Sequence, residues 1–223
     1  MAPHPCVAVM AKRPDAGLVK TRLAAALGQA GAARLARAML GDTRTALVSL
    51  RDAQRCWFHA PADAGAWFAE LDPGARLLPQ PEAHFGARLE HGFAELLRAG
   101  HDGVLFVAGD APHIPAACLE DALRRLADHD LVLGPCEDGG YYLIGLRAPV
   151  AGLFEGVRWS SAHTLTDTLA RAAERDLRVH LTAPGFDVDD AADLRRLAAL
   201  PELAARCPQT AACLAELGER GAT

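Results

Sequence analysis

The stretch Cys6-Val-Ala-Val-Met-Ala-Lys-Arg-Pro-Asp-Ala-Gly-Leu-Val-Lys-Thr-Arg-Leu23 decides how the rest of the chain is read. It opens on six apolar residues with no polar alternation, the pattern of a strand covered on both faces. Pro14 and Gly17 then punctuate a loop. Beyond it, helices are predicted over residues 18–27 and 31–50, the second with Leu35, Met39, Ala46 and Leu47 on its apolar side. A buried strand, a loop and a helix form the opening half of a parallel strand–helix–strand unit.

The same alternation continues to the end of the chain. Strands are predicted at residues 55–59, 76–78, 104–108, 131–134, 141–146 and 178–182. Helices are predicted at 64–71, 85–99, 115–127, 161–174, 190–200 and 210–217. Gly100 supplies a stop and Pro115 a start for two of these helices. Apolar strands alternating with helices imply an α/β fold: a mainly parallel sheet with helices on both faces. There is no repeat, linker or low-complexity segment, so residues 1–223 are read as one domain.

Composition narrows the function. No run without a charged residue exceeds 11 residues, the length of 23–33. A membrane-crossing helix needs about 20 apolar residues, so none is expected. The apolar run at 7–11 is too short for a signal peptide and follows no basic segment, which points to a cytoplasmic protein. The six cysteines form no C-x-x-C pair and are read as reduced thiols rather than disulfides or a zinc site.

The net charge of −5 is unevenly spread. Residues 1–60 carry nine Lys/Arg against three Asp/Glu, a balance of +6, and residues 61–223 carry 14 against 25, a balance of −11. That division suits a small anion bridged by a cation and not an extended nucleic-acid surface. Of the 23 basic residues only Lys12 and Lys20 are lysines, and both stand in the first loop. Lysine is a compact point charge suited to phosphate oxygens, and arginine does not replace it neutrally.

In parallel sheets, ligands collect beyond the carboxyl ends of the strands. Four loops lie there. In the first, Gly17 allows close backbone approach, and Lys12, Lys20 and Arg22 are placed to hold a diphosphate. An ordinary basic loop is the alternative, since neither G-x-x-x-x-G-K-[ST] nor G-x-G-x-x-G is present. In the second, Gly109-Asp110-Ala-Pro-His113 sets a carboxylate at a buried strand end. Asp110 can cap the next helix or hold Mg2+ or Mn2+, and His113 is either in the crevice or a surface residue. In the third, Glu137-Asp138-Gly139-Gly140-Tyr141-Tyr142 is a tight turn before a strand, either a plain hairpin or a binding site where Glu137, Asp138 and Tyr141 crowd at the strand end. The tyrosines must point to opposite faces, so one of them can line a ligand site. In the fourth, Asp187-Val188-Asp189-Asp190-Ala-Ala-Asp193 supplies a helix cap from Asp190 and Asp193. Asp187 and Asp189 remain, and one of them is expected in the crevice beside Asp110.

Taken together, KRPDAGLVKTRL, GDAPHIP, GPCEDGGYYLIGL and DVDDAADL resemble the DUF2064 group of GT-A-fold, glycosyltransferase-like proteins. The resemblance runs over residues 6–200, leaving 201–223 as a helical extension. The group belongs with the nucleotide-diphospho-sugar transferases and is related to molybdenum-cofactor and phospholactate guanylyltransferases. The resemblance implies that Lys12, Lys20 and Arg22 contact phosphate, with Lys20 also stabilising the leaving diphosphate. It implies that Asp110 and Asp189 share one Mg2+ or Mn2+, and that Asp138, Gly139, Gly140 and Tyr141 line the acceptor side, with Asp138 the candidate base. Trp159 and Ser160 match a further short motif. Two departures stand out: His113 occupies a place where an acid is common, and a Lys/Pro loop replaces the glycine-rich guanylyltransferase loop. The implied activity is metal-dependent transfer from a nucleotide or nucleotide-sugar donor to a small acceptor, with glycosyl transfer first. Nucleotidyl transfer releasing pyrophosphate and a non-catalytic nucleotide-binding module are the alternatives.

Overall fold

A computed structural model describes residues 4–221. It contains strands β1 (Cys6–Lys12), β2 (Gln54–Ala60), β3 (Arg76–Pro79), β4 (Val104–Ala108), β5 (Leu131–Pro135), β6 (Tyr141–Leu146) and β7 (Val179–Leu181). The helices are α1 (Ala24–Ser49), α2 (Gly65–Leu71), α3 (Phe85–Arg98), α4 (Ala116–Arg125), α5 (Thr164–Ala173), α6 (Ala191–Ala198), α7 (Leu203–Arg206) and α8 (Pro208–Gly221). The strands form one sheet in the order β3-β2-β1-β4-β6-β5-β7. All its pairings are parallel except those of β6, which runs antiparallel to β4 and β5. The turn at residues 136–140 is too short for a crossover, so β6 folds straight back on β5. No helix among the described residues is long and apolar enough to cross a membrane.

β1 shows why the strands read as continuous apolar runs. Val7, Val9 and Ala11 pack on one face with Leu40 of α1 and Leu119 of α4. Cys6 and Ala8 pack on the other with Phe93 of α3 and Phe106 of β4. A third cluster joins Leu35 and Met39 of α1 to Leu197 of α6 and Cys213 of α8. The C-terminal helices are thus part of the packed layer. Asp42, 1% exposed, reaches from α1 to accept from the backbone of Gln209 at 3.1 Å and Thr210 at 2.7 Å, which caps α8.

One helix prediction fails locally. Residues 18–23 are turns rather than the start of a helix over 18–27. Gly17 at φ 81° and Lys20 at φ 46° both leave helical space, and α1 begins only at Ala24. The expected break between two helices falls inside α1, at Gly28 (φ 70°, ψ 162°).

Away from the crevice, Asp72 is fully buried against Arg55, 2.9 Å from Nη2, and Trp57, whose Nε1–H donates at 3.0 Å. Removing one partner of such a pair strands the other. Asp72→Ala is expected to cost about 3 kcal/mol of unfolding free energy. A urea midpoint unchanged from wild type would overturn that assignment.

Candidate active site

The carboxyl ends of β1 and β4, with the amino end of the antiparallel β6 between them and β5, open into a cavity of about 580 Å3. It is lined by the first-loop cations Lys12, Lys20 and Arg22 and by Phe85, Leu89 and Tyr141. The first loop folds on itself: Arg13 Nε donates to Asp15 at 2.8 Å, and Leu18 N–H donates to Asp15 O at 3.1 Å. Gly17 makes the turn with a positive φ that a side chain would strain. Lys20 takes the left-handed conformation without being glycine, which costs energy and persists only where something holds it.

What holds it is a pair of carboxylates. Lys20 Nζ donates to Asp110 Oδ2 at 2.7 Å and to Asp189 Oδ1 at 2.7 Å. The Lys20 side chain is 11% exposed. Burial alone lowers the pKa of its ammonium, but the charges and hydrogen bonds of Asp110 and Asp189 outweigh burial and hold it above the usual lysine value. Arg22 is more open, its Nη1 3.8 Å from Asp189 Oδ2. Lys12, at the end of β1, lines the same cavity.

Asp110, just past β4, and Asp189, in the extended segment before α6, are 79 positions apart, and each offers an oxygen within 4.8 Å of the other. Asp187 joins them in the same cluster. Only one of Asp187 and Asp189 was expected in the crevice, and both are there. Residues i and i+2 of an extended segment share a face, and Val188 between them is fully buried on the other side. Burial first, then the charges of Asp110, Asp189 and Asp138, push the Asp187 carboxyl up to about 6. Three carboxylates with hard oxygen donors suit Mg2+ or Mn2+. The site is already shaped for a cation, since the Lys20 ammonium lies between two of them.

The Asp187–Asp189 segment is firmly tied. Val188 N–H donates to Asp110 O at 3.1 Å, joining the two acidic loops directly. The predicted cap forms as a full capping box: Asp190 accepts from Ala192 and Asp193, and Asp193 accepts from Asp190. Asp193 also accepts from the Asp189 backbone at 3.0 Å.

The turn between β5 and β6 has its own logic. Asp138 Oδ1 accepts from Gly140 N at 2.9 Å, and its carboxylate lies within 4.8 Å of ligand atoms of Asp187 and Cys136. Gly139 sits at φ 87°, and a Cβ there would come within 2.3 Å of Ala162 O, so only glycine fits. Tyr141 lines the cavity and meets Trp159 edge-on at 6.4 Å. The Tyr142 hydroxyl lies 2.8 Å from Thr182 Oγ1 and donates to Ala183 O at 2.9 Å, a structural tie between β6 and the segment after β7. Ser160, at φ 53°, also lines the cavity.

His113 is neither in the crevice nor on the surface. It is 7% exposed and stacks on Phe186 with ring centroids 4.0 Å apart. Burial, with Arg196 and Arg206 adding, pushes its imidazole down to about 4, so it is neutral at pH 7. Glu137, expected among the binding residues, is instead paired with Arg196 at 2.6 and 2.8 Å. Phe85 was not singled out in the sequence; it stands at the start of α3 as an exposed aromatic, 43% accessible, on the cavity wall.

The model for DUF2064, described as an uncharacterized protein conserved in bacteria, matches residues 43–161. The chain belongs to the DUF2064 family. Among curated relatives, a 3-phospho-D-glycerate guanylyltransferase of Phenylobacterium zucineum is 34% identical over 148 residues, 64% of this chain and 67% of the relative. A phosphoenolpyruvate guanylyltransferase of Chloroflexus aggregans is 30% identical over 190 residues, 81% of this chain and 91% of the relative. A crystal structure from Desulfovibrio desulfuricans G20, provisionally named a nucleotide-diphospho-sugar transferase, superposes with a TM-score of 0.88. It is 31% identical, and the match covers 97% of this chain and 96% of the other. This DUF2064 chain is therefore an enzyme of the transferase class, built on the GT-A, nucleotide-diphospho-sugar transferase fold.

Proposed function

We propose that the chain is a metal-dependent nucleotidyltransferase, moving a nucleoside monophosphate from a triphosphate to a small phosphorylated acceptor. One observation carries the reading: Lys20 Nζ joins Asp110 and Asp189, at 2.7 Å from each, inside an acidic cluster beside a basic loop. The guanylyltransferase relatives favour this alternative over the glycosyl transfer that the resemblance put first. Their named acceptors, 3-phosphoglycerate and phosphoenolpyruvate, are both small phosphorylated acids, and GTP is the corresponding donor.

In this reaction an acceptor phosphate oxygen bonds to the α-phosphorus. The bond from that phosphorus to the bridging oxygen breaks, and pyrophosphate leaves with the electron pair. The acceptor phosphate is already an anion near pH 7, its second pKa being about 6. No residue has to remove a proton, so Asp138 is not required as a base. Asp110, Asp187 and Asp189 are the residues to hold Mg2+ or Mn2+. When bound, such an ion neutralises charge on the triphosphate oxygens. Lys20 and Arg22 bind the β- and γ-phosphates and stabilise the charge that grows on pyrophosphate. Gly17 lets the loop backbone approach the same phosphates. Tyr141 and Ser160, which line the cavity, position the acceptor, and the Asp138–Gly140 turn, which does not itself line it, sets Tyr141 in place.

The test is pyrophosphate release from GTP with Mn2+ and either phosphoenolpyruvate or 3-phosphoglycerate. Turnover of a nucleotide sugar, with no pyrophosphate formed from any triphosphate, would overturn nucleotidyl transfer in favour of glycosyl transfer. The relative named for sugar transfer supports that second reading. Asp138→Asn keeps an oxygen that can accept from Gly140 N, so the turn is expected to survive. Nucleotide affinity should stay at the wild-type value while acceptor KM rises several-fold. A lowered melting temperature with unchanged KM would make Asp138 purely structural.

A further inference from the structure

Three loops that carry the acidic residues, and the helix that follows them, are tied together by one stack outside the cavity. Phe186 immediately precedes Asp187, and its ring has a planar group on each side. His113, three residues after Asp110, stacks with ring centroids 4.0 Å apart. The Arg196 guanidinium, in the last turn of α6, lies 4.0 Å from the ring centroid. Arg196 is in turn held by both carboxylate oxygens of Glu137, at 2.6 and 2.8 Å, and Glu137 adjoins Asp138. α6 itself starts from the Asp190 cap, one residue beyond Asp189. Its two ends therefore act on the same acidic cluster, the first through the backbone of Asp189 and the last through Arg196. None of His113, Phe186, Glu137 or Arg196 lines the cavity.

We infer that Glu137, Arg196, Phe186 and His113 are positioning residues, a cross-brace that sets Asp110, Asp187 and Asp189 at the spacing one divalent cation requires. The inference rests on the metal-dependent reading of the site, because it assigns the brace a purpose at those carboxylates. Three features support it beyond ordinary packing. Arginine is the side chain suited to a flat stack and a bidentate carboxylate at once. The brace meets three separate acidic loops and the helix that follows them. The neutral His113 ring places no positive charge near the cluster to compete with the cation.

Arg196 and Glu137 are largely open to solvent, 44% and 61% by side chain. An exposed pair of this kind adds little to global stability. A merely structural role therefore predicts a small change in melting temperature and nothing else. A positioning role predicts weaker cation binding in Arg196→Ala, by about 10-fold or more, the usual effect of removing a group that orients metal ligands. Arg196→Lys, which keeps the charge but loses the flat stack and the fork, should be nearly as impaired.

Two measurements decide it. Calorimetric titration of Mn2+ into the full chain compares wild type, Arg196→Ala, Arg196→Lys and Phe186→Leu. Hydrogen exchange follows the Val188 amide, bonded to Asp110 O at 3.1 Å in the intact brace. Weaker Mn2+ binding with faster Val188 exchange, at near-wild-type melting temperature, is the expected result. Unchanged Val188 exchange in Arg196→Ala overturns the brace whatever the metal does. Faster exchange with unchanged Mn2+ affinity overturns the positioning role. Absence of Mn2+ binding by wild type refutes the metal reading of the site and with it the purpose assigned here, while the exchange data still decide whether the stack holds the loop.

Discussion

Lys20→Met is expected to weaken nucleotide binding by 10-fold or more and to tighten the binding of Mn2+ alone. The first effect follows from the loss of charge-assisted hydrogen bonds to phosphate, worth roughly 1.5–3 kcal/mol. The second follows from the geometry. In the free protein the ammonium of Lys20 sits 2.7 Å from both Asp110 and Asp189, the position a cation would take. Methionine keeps the length and removes the competitor. It also removes the contacts that hold residue 20 in the left-handed conformation at φ 46°, so the loop should become more mobile. Calorimetry with GTP, and separately with Mn2+, checks both signs. Arg22→Ala should show the nucleotide effect without the metal effect, because Arg22 is exposed and 3.8 Å from Asp189. Wild-type GTP affinity in both variants would remove the first loop from the donor site.

The second large effect concerns the two aspartates. Asp110→Ala or Asp189→Ala should each abolish the cooperativity between Mn2+ and GTP, a coupling expected to be about 5- to 150-fold. The double variant should cost little more than either single one, because the two act through one ion. Their oxygens lie within 4.8 Å of each other and of Asp187, close enough for a shared cation. Additive losses in the double variant would mean two independent roles. GTP titrations at several Mn2+ concentrations measure the coupling directly, and persistence of the full coupling in either single variant would sink the shared-ion assignment.

Much of the fold was legible because strand and helix leave different periods in the sequence. β4 was read at 104–108 and β6 at 141–146, the bounds they have in the structure. Both are continuous apolar runs bounded by glycine, proline or charge, with no competing helical period. The start of α1 was misread because residues 18–23 also carry helix-forming side chains. What cancels the helix there is Lys20, whose conformation is held by carboxylates 90 and 169 positions away. No local propensity contains that information.

The candidate site divides the same way. Lys12, Lys20, Arg22, Asp110 and Asp189 could be named from the sequence because each belongs to the end of a strand or to the segment that follows one, β1, β4 or β7, and a parallel sheet gathers those ends on one side. Asp187 was half-visible through its spacing of two from Asp189. His113 was misplaced because burial is a tertiary property: a histidine three residues from Asp110 looks the same in sequence whether it reaches a crevice or stacks on Phe186. Glu137 and Arg196 were invisible as a pair for the same reason, since 59 positions separate them and only the packing of α6 brings them together.

What the sequence by itself determined about this protein is its layered α/β architecture, the strand ends where ligands gather and the chemical types waiting there. These follow from local periodicity and from the general geometry of parallel sheets. Only the tertiary structure decided that β6 inserts between β4 and β5, that Lys20 spans Asp110 and Asp189, that Asp187 joins them, and that a stack on Phe186 ties their loops together. Those facts depend on distances between residues far apart in the chain. Such distances are set by how whole elements pack, and no short stretch of sequence encodes them.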